Sequence, residues 1–231
     1  MTNIAIIPAR SGSKRIPQKN ILEFNGIPNI VRAINLAFGS KLFERVIVTT
    51  DSDEIAKIAL SAGAEVPFLR TQELSNDETP TFQVIQDVFH RVPELLKYRN
   101  ACCIYPVTPL LRIEHLKSAN SLLISGNADY VVAGIADRTS AYRHFKINDD
   151  GKIHFLFPEF QTTRTQDLPK TFSDAGQFYF GKISAWINGI PILSDRSEII
   201  EFSSTDLVDI DNSDDWKFAE SLISLQNRED R

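Results

Sequence analysis

The stretch IAIIPARSGSKRIPQKN, residues 4–20, decides how this chain is read. Ile4, Ala5, Ile6 and Ile7 form a continuous apolar run closed by Pro8, as expected of a first strand buried on both faces. The loop that leaves it carries Arg10, Lys14, Arg15 and Lys19, with no acidic residue until Glu23, although the whole chain has a formal net charge of −5. In an open α/β sheet, ligands bind outside the carboxyl ends of the strands. Ser11, Gly12 and Ser13 let the backbone approach a ligand and offer N–H and hydroxyl donors. A same-sign cluster there predicts a polyanion cradle, against the alternative of a basic loop that serves solubility. The pattern is not a Walker A loop, because Lys14 follows Ser13 and precedes Arg15. With Gly12 as the loop's one glycine, the dinucleotide fingerprint is missing too, which disfavours a redox enzyme on a dinucleotide fold.

Working outward, strand and helix alternate. A helix is predicted over 28–38, with Pro28 in its first turn and Ile30, Ala33, Ile34 and Ala37 at helical spacing. Residues 45–50 read as a strand. Asp51 fits the N-cap of the helix that follows, with Glu54 three residues on, although a ligand-facing role is also open to it. Residues 66–69 read as a short strand, and Thr79-Pro80 as a cap and first turn for a helix through His90. The apolar run 101–105, a helix over 113–124 and a strand over 130–135 complete a parallel sheet with right-handed crossovers. From Thr139 the pattern changes. Asn148-Asp149-Asp150-Gly151 signals a hairpin within 143–160, and residues 154–157 place three large apolar groups outside the main sheet. Residues 178–180 return to the sheet, 184–188 form a short helix, and 214–225 a final one.

Composition bounds the rest. A chain of 231 residues with 42% hydrophobic content can bury a sizeable core in one domain, 1–231, with an excursion at about 140–172. No run approaches the roughly 20 apolar residues of a membrane span. The start enters a strand without a signal-peptide pattern, which predicts a cytoplasmic protein. Cys102 and Cys103 are adjacent in an apolar strand and read as buried thiols in a reducing compartment. The acidic balance argues against nucleic-acid binding. The four histidines, His90, His115, His144 and His154, have neither metal-ligand nor catalytic spacing. At the far end, Val208-Asp209-Ile210-Asp211 sets two carboxylates on one face of an extended segment. Such oxygen ligands suit Mg²⁺, though an acidic loop and helix start reads equally from spacing alone. Ser213 fits the cap of that helix better than Asp211 does.

Several of these segments, in order, resemble the sugar-acid cytidylyltransferases. They are Ile-Pro-Ala-Arg-Ser-Gly-Ser-Lys and Pro-Gln-Lys-Asn in the first loop, Val-Ile-Val-Thr-Thr-Asp at 46–51, Phe-Leu-Arg at 68–70 and Glu-Leu-Ser-Asn-Asp at 73–77. Ala-Cys-Cys-Ile-Tyr-Pro at 101–106, Asp-Ala-Gly-Gln-Phe-Tyr at 174–179 and Val-Asp-Ile-Asp at 208–211 continue the likeness over nearly the whole chain. The resemblance implies a three-layer, Rossmann-like nucleotidyltransferase with a mostly parallel sheet, and makes the excursion a dimerisation arm, so that a homodimer is expected. The implied reaction is CMP transfer from CTP to the anomeric hydroxyl of a nonulosonic sugar acid, with release of pyrophosphate and with Mg²⁺ as cofactor. Positioning and charge neutralisation carry such in-line transfer, without an enzyme nucleophile.

By the same resemblance, Arg10, Lys19, Asp209 and Asp211 are the catalytic set, and Asp209 and Asp211 the metal ligands. Lys19 would meet the α-phosphate, Asn20 would hold the nucleotide, and Lys14 with Gly12 and Ser13 would take the distal phosphates. Arg70, Asp77 and Thr81 would hold the cytidine. Tyr105, Arg164, Gln166, Gln177 and Tyr179 are the candidates for the sugar acid, whose carboxylate calls for cations or amide donors; Gln177 and Tyr179 also read as ordinary strand residues. Many relatives carry Gln where this chain has Tyr105. Together with the 101–106 and 174–179 segments, that points to pseudaminic acid as acceptor. Acylneuraminate, legionaminic acid or 3-deoxy-octulosonate is the alternative within the class, and a non-catalytic nucleotide-sensing module the alternative outside it.

Overall fold

The computed structural model describes residues 3–229, and the side chains up to residue 225. Among the described residues, ten strands and six α-helices follow one another: β1 (Asn3–Pro8), β2 (Glu23–Phe24), β3 (Ile27–Pro28), α1 (Asn29–Ser40), β4 (Phe43–Thr49), α2 (Asp53–Ser61), α3 (Thr81–Arg91), β5 (Asn100–Ile104), α4 (Ile113–Ser125), β6 (Tyr130–Ala136), β7 (Phe145–Ile147), β8 (Ile153–Phe155), β9 (Phe172–Lys182), α5 (Ile183–Ile187), β10 (Ser197–Phe202) and α6 (Ser213–Glu229).

The main sheet has the order β10-β6-β9-β5-β1-β4. β1 pairs parallel with β4 and β5, and β10 parallel with β6. β9 alone runs antiparallel, between β5 and β6. Alternation along β1 divides the core into two layers. Ala5 and Ile7 pack with Ile30, Ala33 and Ile34 of α1, Leu116 and Ala119 of α4 and Ala219 of α6. Ile4 and Ile6 pack with Ile85, Val88 and Phe89 of α3 and with Trp186 of α5. The result is the helix–sheet–helix sandwich that the strand–helix alternation predicts.

Some local expectations shift. Pro28 and Pro80 occupy the position before the first helical residue of α1 and α3, one place earlier than predicted. Ser52, not Asp51, caps α2: its side chain accepts from the Ile55 N–H at 3.3 Å. Residues 66–69 make no strand. Isolated bridges form only at Glu65 and Leu69, because Pro67 between them has no N–H to offer a ladder. At α6 the cap is Asn212, whose Oδ1 accepts from Asp214 and Asp215, while Asp215 reaches back to the Asn212 N–H at 3.0 Å. This reciprocal box replaces the expected Ser213 cap and leaves the Asp211 carboxylate unused by the helix. β7 and β8 form the predicted hairpin as a two-stranded ribbon apart from the main sheet, pairing Phe145 with Phe155 and Ile147 with Ile153. Among the described residues, no helix is long and apolar enough to cross a membrane.

Candidate functional site

The carboxyl end of β1 releases the basic loop beside the end of β4, into the space that the switch in strand order opens. Polar ties to the scaffold hold that loop in shape. Asn20 donates to the Arg10 carbonyl at 2.7 Å, and fully buried Asn29 at the head of α1 donates to the Lys19 carbonyl at 3.0 Å. Asp51, at the end of β4, accepts both the N–H and the hydroxyl of Ser11. Ser11 has therefore spent on Asp51 the donors that the sequence offered to phosphate. Gly12 and Ser13 stay in the loop, and Ser13 lines the cavity it borders.

That cavity has a volume of about 530 Å³. It gathers Arg10, Ser13, Lys14, Lys19, Asn20, Arg70, Asp77, Thr81, Tyr105 and Asp211 from five separate segments. Arg70 is nearly fully buried, with its Nε on Ser75 Oγ at 3.0 Å. Burial lowers its pKa, with Asp51 pulling the other way. Thr81 Oγ1 and the Tyr105 hydroxyl are 2.6 Å apart, closing one wall. Tyr105 packs edge-on against Tyr179, whose hydroxyl donates to Asp174.

The four loop cations are divided between two carboxylates. Arg10 and Lys14 both lie 2.5 Å from Asp77. Arg15 reaches Asp211 at 2.7 Å, and Lys19 lies 3.8 Å from the same oxygen while donating to the Ile210 carbonyl. Burial lowers the pKa of Lys19, against the pull of Asp211 and Asp209. Lys19 is thus a poorly solvated ammonium that faces the cavity floor, where a fixed positive charge acts most strongly.

Asp209, two residues before Asp211, does not itself line the cavity. Its carboxylate rests on Gly176, where a β-carbon would come within 2.9 Å of it and the backbone has φ +59°. The glycine lies in a bulge of β9, where the register against β6 shifts between Val132 and Gly134. Buried Gln177, next to it, donates to the Val208 carbonyl at 3.1 Å and to the Ala175 carbonyl at 2.8 Å, tying the Asp209 segment to the sheet. Burial and then the charge of Asp211 push the Asp209 carboxyl up to about 6, with Lys19 opposing. Two carboxylates that repel each other beside a polyanion pocket fit a divalent cation. Among the described residues, no three His, Cys, Asp or Glu side chains form a complete cage. A cation held by this pair would fill its remaining positions with water and phosphate oxygens, as Mg²⁺ does.

The remaining sequence candidates lie apart. Gln177 faces the interior and spends its amide on the backbone, and Tyr179 stands behind Tyr105 rather than lining the cavity. Arg164 and Gln166 are exposed on the excursion and do not border the cavity. Asp51, Asn29 and Gly176 shape the site without having been picked as site residues. A glycine inside a strand was the readable signal for the last of these.

A family model described as Cytidylyltransferase matches residues 4–210. A pseudaminic acid cytidylyltransferase of Campylobacter jejuni is 34% identical over 228 residues, 98% of each chain. A CMP-N,N'-diacetyllegionaminic acid synthase of Legionella pneumophila is 27% identical, over 97% of each. Among solved structures, a CMP:2-keto-3-deoxy-manno-octonic acid synthetase complexed with CTP superposes with a TM-score of 0.71 at 15% identity, over 98% of this chain and 100% of that one, and shares its fold. With the signature loop, the three-layer sheet and nearly full-length similarity in agreement, this chain belongs to the cytidylyltransferase family.

Proposed function

We propose that this enzyme transfers CMP from CTP to the anomeric hydroxyl of a nonulosonic acid, with pseudaminic acid as the acceptor. One observation carries the reading. The Arg10–Lys19 loop and Asp211, remote in sequence, meet at one cavity at the carboxyl edge of the sheet. The similarity to pseudaminic acid cytidylyltransferases over 98% of the chain supports the acceptor, as does Tyr105 in the cavity wall.

Arg10, Lys14 and Ser13 would hold the β- and γ-phosphates, and Lys19 the α-phosphate. The acceptor oxygen forms its bond to the α-phosphorus as the bond to the bridging oxygen breaks; pyrophosphate leaves with the electron pair and the hydroxyl proton passes to solvent water. Lys19 balances the charge that builds on the α-phosphoryl oxygens in that passage. Asp209 and Asp211 would hold Mg²⁺, which supplies charge neutralisation across the phosphates. Buried Arg70 and the Thr81–Tyr105 wall would enclose the cytidine and the near side of the sugar.

The excursion supports a homodimer. Phe145, Ile147, Ile153 and Leu156 each leave about half or more of their surface exposed on a ribbon apart from the main core, and apolar surface of that kind is stable when covered.

The test is pyrophosphate release from CTP and Mg²⁺ with a panel of nonulosonic acids. Release with pseudaminic acid and little with the others is the expected result. Release with acylneuraminate or legionaminic acid instead would keep the reaction and replace the acceptor. Binding of CTP with no release from any acceptor would favour a nucleotide-sensing module.

A further inference from the structure

Asp77 stands on a turn that is rigid by its own hydrogen bonds. Asn76 Oδ1 accepts from the N–H groups of Glu78 and Thr79, both at 2.8 Å, and its Nδ2 donates to the Glu73 carbonyl at 2.6 Å. Ser75 donates to the Thr71 carbonyl at 2.8 Å and accepts from Arg70. This turn holds Asp77 out across the cavity mouth toward a loop more than fifty residues earlier. There Oδ1 meets Arg10 and Oδ2 meets Lys14, so both oxygens are taken by cations that the polyphosphate needs. The carboxyl is correspondingly held below the ordinary aspartate range by Lys14 and Arg10.

We infer that Asp77 is a built-in competitor for the polyphosphate: it holds Arg10 and Lys14 when the cavity is empty and reclaims them when pyrophosphate departs. The inference rests on the reading of this cavity as the triphosphate site and adds a release step to it. A pair of cations strong enough to hold a triphosphate also retains pyrophosphate, the leaving group, which carries the same two phosphates. An anion of fixed position beside them lowers the affinity for both, and speeds the exit of the product that has no nucleoside to hold it. The link between loop and turn must open whenever β- and γ-phosphates enter, whereas CMP, which lacks them, leaves it closed. Asp77 therefore acts on polyphosphates and spares monophosphates.

The experiment is calorimetric titration of the wild type, Asp77→Asn and Asp77→Glu with sodium tripolyphosphate, pyrophosphate and CMP at one low ionic strength. Asp77→Asn should bind tripolyphosphate and pyrophosphate about tenfold tighter, the scale expected when a carboxylate shared by two exposed cations loses its charge. CMP should bind the wild type and Asp77→Asn alike, and Asp77→Glu, which keeps the charge, should stay near the wild type. Pyrophosphate should correspondingly become a stronger product inhibitor of Asp77→Asn. Unchanged or weaker polyphosphate binding in Asp77→Asn would overturn the inference. Weaker CMP binding with polyphosphates unaffected would return Asp77 to a cytidine contact. Tripolyphosphate binding to none of the three proteins would remove the polyphosphate site itself, and the competitor with it.

Discussion

The carboxylate of Asp51 accepts both donors of Ser11, the backbone N–H at 2.8 Å and the hydroxyl at 2.7 Å. A residue at the end of β4 thereby fixes the point where the basic loop leaves β1, immediately after Arg10. Asp51 does not line the main cavity; it positions the loop that carries Arg10. Asp51→Ala should lower kcat/KM for CTP roughly tenfold, mostly through KM, since loss of charge-assisted hydrogen bonds is worth on the order of 1.5–3 kcal/mol and these are exposed. Asp51→Asn, which keeps one acceptor, should recover part of it. Steady-state kinetics with varied CTP would reveal this split; equal losses in both variants would mean that charge alone matters.

In the proposed mechanism Lys19 acts on charge that grows during the reaction, so its removal should mark turnover more than binding. For Lys19→Ala we expect kcat to fall about 10²- to 10³-fold, with CTP affinity changing severalfold at most. Single-turnover rates set against equilibrium CTP binding would separate the two. An unaffected rate would strike Lys19 from the mechanism.

Chelation should stop the wild type, and excess Mg²⁺ should restore it. In Asp211→Ala, activity should drop by about 100-fold or more, with the residue of it insensitive to Mg²⁺ concentration. A Mg²⁺ titration with the same midpoint as the wild type would return Asp209 and Asp211 to the role of an acidic loop.

His115 contributes a pH-dependent part of stability. Its Nδ1 accepts the Arg112 N–H at 3.2 Å and its ring meets Phe202 edge-on, an arrangement that needs the neutral form. Burial, and then the charge of Arg112, hold its pKa below the ordinary 6.5. The native state therefore binds fewer protons than the unfolded chain just below that value. Stability is complete above about 6.5 and declines as pH falls through the folded pKa. Thermal midpoints measured between pH 7.5 and 5 should fall for the wild type and fall less for His115→Gln, whose amide oxygen can still accept. Parallel curves would assign the acid sensitivity to other groups.

Ile147 and Ile153 pair across the β7–β8 ribbon and are 69% and 61% exposed. Light scattering should give a mass of two chains for the wild type and of one for the double variant Ile147→Asp, Ile153→Asp. A wild type that scatters as a single chain would leave the ribbon without its proposed partner.

The parts legible in the sequence share a physical trait: their signal is local. The buried run Ile4–Ile7, the helical spacing in α1 and the Asp-Gly turn of the ribbon each declare themselves within a dozen residues. So does the succession of short motifs that matches the family. What escaped depends on distant partners. β10, Ser-Glu-Ile-Ile-Glu-Phe, is a half-polar edge strand that exists because β6 offers it a ladder. Asp51 and Ser52 are both good caps, and only the approach of Ser11 from forty residues away decides which one caps the helix. Asp77, read as a nucleoside contact, stands against Arg10 and Lys14, a pairing of residues more than sixty apart that no local signal announces. Gln177 looked like a pocket residue, but the bulge at Gly176 turns it inward to brace Val208.

The place of β9 has a consequence for how the chain is made. It is an inner strand, yet it is synthesised after both of its neighbours. Until residue 182 has left the ribosome, β5 and β6 each present an open edge where β9 will go, and nothing earlier in the chain can fill that slot. Half-made chains are therefore the vulnerable species, exposing apolar ladders that invite pairing with other molecules. The antiparallel strand that carries Gln177 and the Gly176 bulge fills the slot between β5 and β6 and sets in place the surface on which the Asp209 segment, made later, is held. A nascent chain thus fills the centre of its sheet before its acidic corner has been made, and a truncation short of residue 182 should yield aggregate rather than a weakened enzyme.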